Sequence, residues 1–586
     1  MGEFNLQNEE KDKDKNENDK KFNLLDKGWI NVITDYKGTT KLVGMKEFFE
    51  NAHNYIALAG DTPTQDFAVM RFLLAVLHTV FSRYDADGNV YDGIKLDKRR
   101  KQINEISGRA AKNYPKALMK TWKDLWNKGK FPDIVNKYLK DWKDRFDLYD
   151  DKYPFYQVTE KEIDVSKINK SAPSEVLGKN INRRISESAN KIALFSPKYS
   201  NDLNKEKMSQ DEVARWLLTF QSYSGLSDKV IFGKEKYKAS KGWLFDLGGV
   251  FLSSDNLFKT LLLNLQLKNF SNKIQKPCWE FSPEEVVQKQ MSFEPIDNIA
   301  ELYTVWSRAV CIKDYSPENA FSMSIVKLPE VIHEDQFLEP MTIWRYNTTG
   351  DNKEKFTPRK HQMNKSMWRS FGLITETESE ENPDPKNKKR KPGIIDWMNK
   401  ISDFVDDKII KINSISMEDD GNATSWVPTN EVVDHLYIDE AVFNDLEKEG
   451  WIYRINKVVD MTKEVVEFIY KGFLNDINEI RNLESKDFVN NGVELLYYEI
   501  DKPFRDWILS IDINDDKEKK ITDWKNELSY LVFNQAEKIA KSSNSRDFIG
   551  ISVDGTTKNI ATAFNIFSAR LNKKLGKRRE LNGENK

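Results

Sequence analysis

Cysteine and histidine are scarce in this chain: Cys278 and Cys311 are the only thiols in 586 residues, and there are 5 histidines. Two cysteines far apart and outside any metal-type spacing exclude a disulfide scaffold and a cysteine-rich zinc site, and they fit a reducing compartment. No run approaches the roughly 18 apolar residues that a membrane span requires, and the N-terminus lacks the apolar core of a signal segment. The expectation is a soluble, cytoplasmic protein with no membrane partner. Net charge is also missing, because Lys+Arg 91 nearly cancels Asp+Glu 93 and leaves −2. Any basic surface for nucleic acid must then be local. The glycine spacing followed by Lys-Ser/Thr that marks a phosphate-binding loop is absent as well.

What the chain does contain is apolar and aromatic mass. Hydrophobic residues make up 39%, with 15 Trp, 33 Phe and 21 Tyr, so sizeable cores can form, and this length predicts two or three domains. Residues 1–21 carry five Lys against seven acids and almost nothing apolar. Such a tail cannot offset its ordering entropy and is predicted disordered. Residues 22–420 read as a large mixed α+β domain. Its first part is a hairpin turning at Tyr36–Thr39, followed by a helix over Phe67–Phe81 capped by Asp61 or Thr64. Asp66 is expected to pair with Arg71, and His78 to be a core histidine. A carboxylate-dependent hydrolase built on Asp61 and Asp66 is an alternative function, but first-turn acids more often complement the helix dipole.

Further along, Ala193-Leu-Phe-Ser196 is an apolar island in a polar stretch, and it calls for a partner surface. Gln221-Ser-Tyr-Ser-Gly-Leu-Ser227 is a small, turn-prone loop with Lys229, Lys234, Lys236, Lys238 and Lys241 behind it. Glycine and serine there permit close approach to a phosphate chain or groove. Gly248-Gly249 reads as a turn. An acidic patch near Glu376–Glu381 precedes a basic one at Lys386–Lys391 and reads as a solvated insertion. Glu418–Trp426 is a polar loop in which Gly421 and Asn422 tolerate a tight turn. Residues 421–430 read as a protruding loop or linker. Beyond them, Ile455–Phe473, Val493–Leu509, Trp524–Val532 and Ile560–Leu575 keep helical spacing, predicting a four-helix bundle over 431–586.

Several segments, in this order, resemble the CasA family, the large subunits of the type I-E CRISPR surveillance complex, Cascade. They are Asn23-Leu-Leu with Gly28-Trp-Ile-Asn-Val32, Leu58-Ala-Gly-Asp-Thr-Pro-Thr-Gln-Asp-Phe-Ala68 with Arg71 and Leu73–Leu77, Ala193–Ser196, Ala214–Leu218 with Gln221–Gly225, Lys276-Pro-Cys-Trp-Glu280, Met367-Trp-Arg369 and Phe533-Asn-Gln535. The resemblance runs from about Phe22 to the C-terminus. It implies a non-catalytic subunit that recognises the protospacer-adjacent motif (PAM) of double-stranded DNA, helps open the duplex for R-loop formation, and recruits the Cas nuclease–helicase. Its partners would be target DNA, crRNA-bearing Cascade subunits and that nuclease; a purely structural scaffold subunit is the remaining alternative. By the resemblance, the glycine-rich DNA-reading loop falls on Ser222, Tyr223, Ser224 and Gly225. The reading lysine falls on Lys327, and the strand-separating wedge on Asn422, Ala423, Thr424 and Ser425, without the glutamine expected there. Leu194, Phe195 and Ser196 correspond to the loop that docks near the guide RNA handle. The zinc-type cysteine cluster of some relatives is missing, so no metal or cofactor is expected.

Overall fold

In the computed structural model the described residues are 21–178, 181, 207–268, 273–313, 315–316, 318–376, 388–447, 449–553 and 555–576. The predicted N-terminal tail, the island Leu194–Ser196 and most of the acidic–basic insertion lie outside them. The fold is α+β, with a mixed N-terminal body and a C-terminal helical bundle. The chain divides into two compact units: Met1–His361 with Thr377–Val405 and Asn413–Val433, and Gln362–Glu376 with Asp406–Ile412 and Asp434–Lys586. The expected linker over 421–430 instead lies in the turn between two long strands, Ile409–Asp419 and Pro428–Asp439. Residues 431–439, expected to open the bundle, are strand.

The first unit is organised around the helix Pro63–Phe81, whose residues are buried on nearly every side. By composition it could cross a membrane, an exception to the expectation above, but 94% of the relevant window is buried in the fold, as in a core helix. Thr62, rather than Asp61 or Thr64, caps it: the Thr62 hydroxyl accepts the Gln65 N–H, and Pro63 occupies the first turn, where its missing N–H costs nothing. Three sheets of three strands each are formed among the described residues. Ile30–Ile33 pairs antiparallel with Thr40–Val43 and with Ala57–Leu58. Ser322–Lys327 is central between Ser174–Leu177 and Arg308–Cys311, antiparallel to both. Ile409–Asp419 is central between Gly249–Ser253 and Pro428–Asp439. Gly249 therefore starts a strand instead of marking the expected turn.

Among the described residues of this unit, Arg71, Arg83 and Arg308 are fully buried, each with a carboxylate. Arg71 forks onto Glu339 at 2.7 and 2.6 Å, Arg83 onto Glu280 at 2.7 and 3.0 Å, and Arg308 meets Asp228 at 3.1 Å. The Arg71 fork takes the place of the expected pairing with Asp66. Removing one partner of such a pair leaves an uncompensated buried charge. His78 is a core histidine, edge-on to Tyr303, and burial pushes its imidazole down to about 3. Cys278 and Cys311 are both buried free thiols, and desolvation pushes them up to about 12 and about 11.

The second unit holds four long helical stretches. Trp451–Glu464 continues through a π segment, Val465–Tyr470, into Lys471–Ile480; the others are Asp487–Leu509, Lys517–Lys541 and Ile560–Leu575. Aromatic rings fill its core, with Phe504 edge-on to Trp524 at 4.9 Å and Phe473 against Phe567 at 5.1 Å. Trp368 from the Gln362–Glu376 segment stacks on Phe504 at 4.1 Å and donates its indole N–H to Asp501. That contact ties Gln362–Glu376 to the bundle.

Candidate nucleic-acid interface

The 420–427 turn builds itself from its own polar groups. Asp420 N–H donates to Val427 O at 3.0 Å and closes the strand pair, while the Asp420 carboxylate accepts the Asn422 and Val427 N–H groups, both at 3.1 Å. Asn422 Oδ1 accepts the Thr424 N–H at 3.1 Å and the Thr424 hydroxyl at 2.8 Å, an Asx turn. Gly421 takes φ 66° with open space around it, and Trp426 takes φ 46°. Gly421, Asn422, Ala423 and Thr424 are exposed, Ser425 and Trp426 half-buried. Among the described residues, no acceptor is bonded to the Asn422 Nδ2 group. The tip thus presents an amide donor on a preorganised backbone.

The second loop lies directly against this tip. Leu226 N–H donates to Ser425 O at 2.6 Å. A Cβ on Gly225 would sit 2.3 Å from Trp426 O and 2.8 Å from Ser425 O, so only glycine allows this approach. On the other side, a Cβ on Gly242 would meet the Ser222 carbonyl at 2.2 Å. Gly242 was not singled out from the sequence, since nothing local links it to a loop twenty residues earlier. Lys327, at the end of its strand, donates to Leu226 O at 2.9 Å and lies 3.7 Å from Asp228. Three segments read separately from the sequence are therefore joined by hydrogen bonds in the first unit.

Not every expected reader reaches solvent. The loop expected from Gln221 begins later: Gln221, Ser222 and Tyr223 end the helix Gln210–Tyr223, and Ser224 is its C-cap. Tyr223, Ser224 and Gly225 are buried, and Ser222 is half-buried. Ser224 Oγ is 2.8 Å from Ser307 Oγ, and Tyr223 is fully enclosed, with burial holding its phenol well above the usual range. These residues shape the loop instead of presenting side chains. The Lys327 side chain is 11% exposed, its ammonium turned to the loop carbonyl. Beneath them Arg308 donates to Gly225 O, to Ser240 O at 2.6 Å and to Ser307 O at 2.9 Å, and pairs with Asp228. Neither Arg308 nor Asp228 was legible as a site residue, because their partners come from distant sequence.

Two lysines brace the base of the tip. Lys241 lies over the Trp426 ring at 4.8 Å and bonds Asp246 at 2.7 Å, while Lys360 bonds Asp419 at 2.6 Å and lies over Phe245 at 4.0 Å. Desolvation alone would raise the Asp246 carboxyl, but Lys241, His333 and Lys360 outweigh it and hold it below the ordinary range. Desolvation lowers Lys360. Lys229, Lys234, Lys236 and Lys238 are exposed in the following segment. Of these cations Lys238, Lys241 and Lys360 are paired, with Glu330, Asp246 and Asp419 respectively.

Asp61 and Asp66 sit in a capping network. Asp66 Oδ1 accepts the Gly60 N–H at 2.8 Å, Asp61 is 3.8 Å from Arg215, and Glu431 accepts the Thr64 N–H at 3.0 Å and the Thr64 hydroxyl. Desolvation chiefly, with repulsion from Asp61 and Glu431, pushes Asp66 up to about 7 from 3.8. The folded state then binds this proton more tightly than the unfolded chain between those values, so this group costs stability as pH rises through the window. Asp66→Asn keeps the acceptor for Gly60. It is expected to gain about 1–2 kcal/mol at pH 8, and thermal melts should show that gain fading as pH falls toward 5. Among the described residues no group of three or more His, Cys, Asp or Glu is placed to hold a metal ion.

A family model described as CRISPR-associated protein Cse1 matches residues 23–535. The CRISPR-associated protein CasA/Cse1 of Thermus thermophilus is 26% identical over 363 residues. That match spans 60% of this chain and 60% of the length of the relative. Among solved structures, Thermobifida fusca Cse1 is 21% identical with a TM-score of 0.74, covering 95% of this chain and 99% of that one. A chain of a structure described as a CRISPR RNA-guided surveillance complex is 12% identical with a TM-score of 0.62, covering 94% and 99%. At these identities the structural likeness is one of fold.

Proposed function

Because this chain belongs to the CRISPR-associated Cse1 family, we propose that it is the large, non-catalytic subunit of a cytoplasmic RNA-guided surveillance complex of the type I-E Cascade class. In that role it recognises the PAM in double-stranded DNA, helps open the duplex, and leaves sequence reading to the guide RNA carried by its partner subunits. Recruitment of the Cas nuclease–helicase follows R-loop formation. The observation that carries this reading is the hydrogen-bonded junction of Gly225–Leu226, Lys327 and the 420–427 turn with its exposed tip Gly421–Thr424.

Its chemistry fits minor-groove contact. The groove offers acceptors at A N3 and T O2 and one donor on G, a degenerate code that suits a short, tolerant motif. The Asn422 amide supplies a donor, and the narrow tip backed by Trp426 and Lys241 supplies a rigid edge. Such a wedge stands in for base stacking at the first step, where unstacking costs a few kcal/mol. After that step, heteroduplex pairing is nearly balanced against the DNA duplex and propagates from the seed.

The double variant Asn422→Ala, Thr424→Ala removes the Asx turn and the donor while leaving the buried loop intact. Reconstituted complex carrying it is expected to bind PAM-bearing duplex about 10-fold more weakly in a gel shift, roughly one decade being 1.4 kcal/mol. Assembly should be unchanged. Wild-type affinity in the variant would refute the site, and absence of a short guide RNA from the native complex would refute the class.

A further inference from the structure

The helix Pro283–Met291 ends in an unusual way. Phe293 N–H donates to Gln290 O at 3.1 Å and Glu294 N–H to Lys289 O at 3.3 Å, the double bond of a Schellman cap, which puts Phe293 in the left-handed position at φ 55°. Glycine or asparagine normally sits there, because a side chain costs on the order of 1 kcal/mol or more. Phe293 is also 63% exposed, so the ring gains little from burial. Strain and exposure together at one aromatic residue point away from a structural role.

Beside it opens a cavity of about 170 Å³, lined by Phe281, Val286, Ile296, Val305, Trp306 and Ile332 together with Phe293. An apolar cavity of about 150 Å³ is enough to take a benzene ring. Ile332, like Phe293, is mostly exposed at 65%. The charged groups of the wall are mixed. Lys289 is bonded to Glu301 at 2.5 Å and lies over the Phe281 ring, and Glu330 pairs with Lys238 at 2.5 Å. Lys276 and Glu294, which also line the cavity, have no ion-pair partner among the described residues.

We propose that this pocket docks a segment of a partner protein that inserts one large apolar side chain, Phe or Leu, bracketed by an acidic residue for Lys276 and a basic residue for Glu294. The unpaired charges of opposite sign select a zwitterionic peptide over nucleic acid, since a polyanion needs surplus cations and here meets Glu294, Glu301 and Glu330. Phe293 acts as the rim anchor, and that contact offsets its backbone cost. The proposal does not rest on the DNA-reading junction, although Glu330 of the cavity wall pairs with Lys238 of the lysine segment behind that junction.

The test uses the full chain and fluorescein-labelled 12-residue peptides with an Asp-Leu-Phe-Lys core in Gly/Ser flanks, read by fluorescence anisotropy. An alanine core and a core with both charges reversed serve as controls. Expected are saturable binding of the first peptide, loss of binding with the alanine core, and a preference for the reversed peptide in Lys276→Glu, Glu294→Lys. Phe293→Gly is the decisive variant. It relieves the left-handed strain, so the melting temperature should hold or rise while affinity drops about 10-fold, as for a truncated aromatic anchor. Equal binding of all peptides, or a Phe293→Gly chain that melts earlier and binds as before, overturns the proposal. Displacement of the peptide by an unlabelled single-stranded oligonucleotide overturns it in favour of nucleic acid. Concentration-dependent dimerisation that Phe293→Gly abolishes overturns it in favour of a second copy of this chain.

Discussion

Asp228→Ala is expected to destabilise the first unit by about 3–5 kcal/mol, the usual consequence of removing one member of a buried ion pair. Both side chains are fully enclosed, so Arg308 would keep its charge without its counterion. It also donates to Gly225 O, Ser240 O and Ser307 O, neutral carbonyls that accept hydrogen bonds but do not neutralise its charge. Lys327, 3.7 Å from Asp228, would lose the same partner. Urea unfolding followed by tryptophan fluorescence should show the midpoint shift in the transition of this unit, and a change below about 1 kcal/mol would be too small for a buried pair. Arg308→Met paired with Asp228→Leu should recover part of the loss, because it removes the unpaired charge but leaves the Gly225, Ser240 and Ser307 carbonyls without their donor.

Gly225→Val should act on binding more than on stability. The added side chain meets the carbonyl oxygens of Trp426 and Ser425 at distances no real Cβ adopts. The tip must back away, and the Leu226 N–H loses Ser425 O. In reconstituted complex the expected result is a loss of PAM-duplex affinity of at least about 10-fold, corresponding to 1.4 kcal/mol or more. Gly421→Ala is the internal control: it carries a left-handed φ but has open space around it, so it should cost about 1 kcal/mol of local stability without moving the loop beneath. Duplex binding by Gly225→Val equal to that of Gly421→Ala would remove the junction from the mechanism.

Legibility from sequence followed the range of the interactions. The bundle was readable because Ile455, Val458, Val459 and Phe473 repeat at helical spacing, and all of them are buried. The long strand Ile409–Asp419 was missed although Ile410, Ile412 and Ser414 alternate toward the interior. Serines at the later inward positions weaken the apolar alternation that signals a strand. The boundary error at 431 has the same origin, since Pro428–Asp439 is polar along most of its length. The tight turn at Gly421–Ser425 was legible, because turn chemistry is local. Arg308, Asp228 and Gly242 were not, because a buried ion pair eighty residues apart and a glycine pressed against a distant backbone leave no periodic trace. The identity of the helix cap was a near miss: Thr62, followed by Pro63, carries the stronger signal.

The two thiols have a practical consequence for testing whether the tip enters DNA. Cys278 and Cys311 are 9% and 5% exposed and their thiolates are disfavoured, and maleimides react with the thiolate form. An Ala423→Cys chain therefore offers one fast-reacting sulfur in the natural background, with no need to strip the native cysteines. A dye there, paired with one on the duplex, would show whether the tip approaches the DNA in the assembled complex.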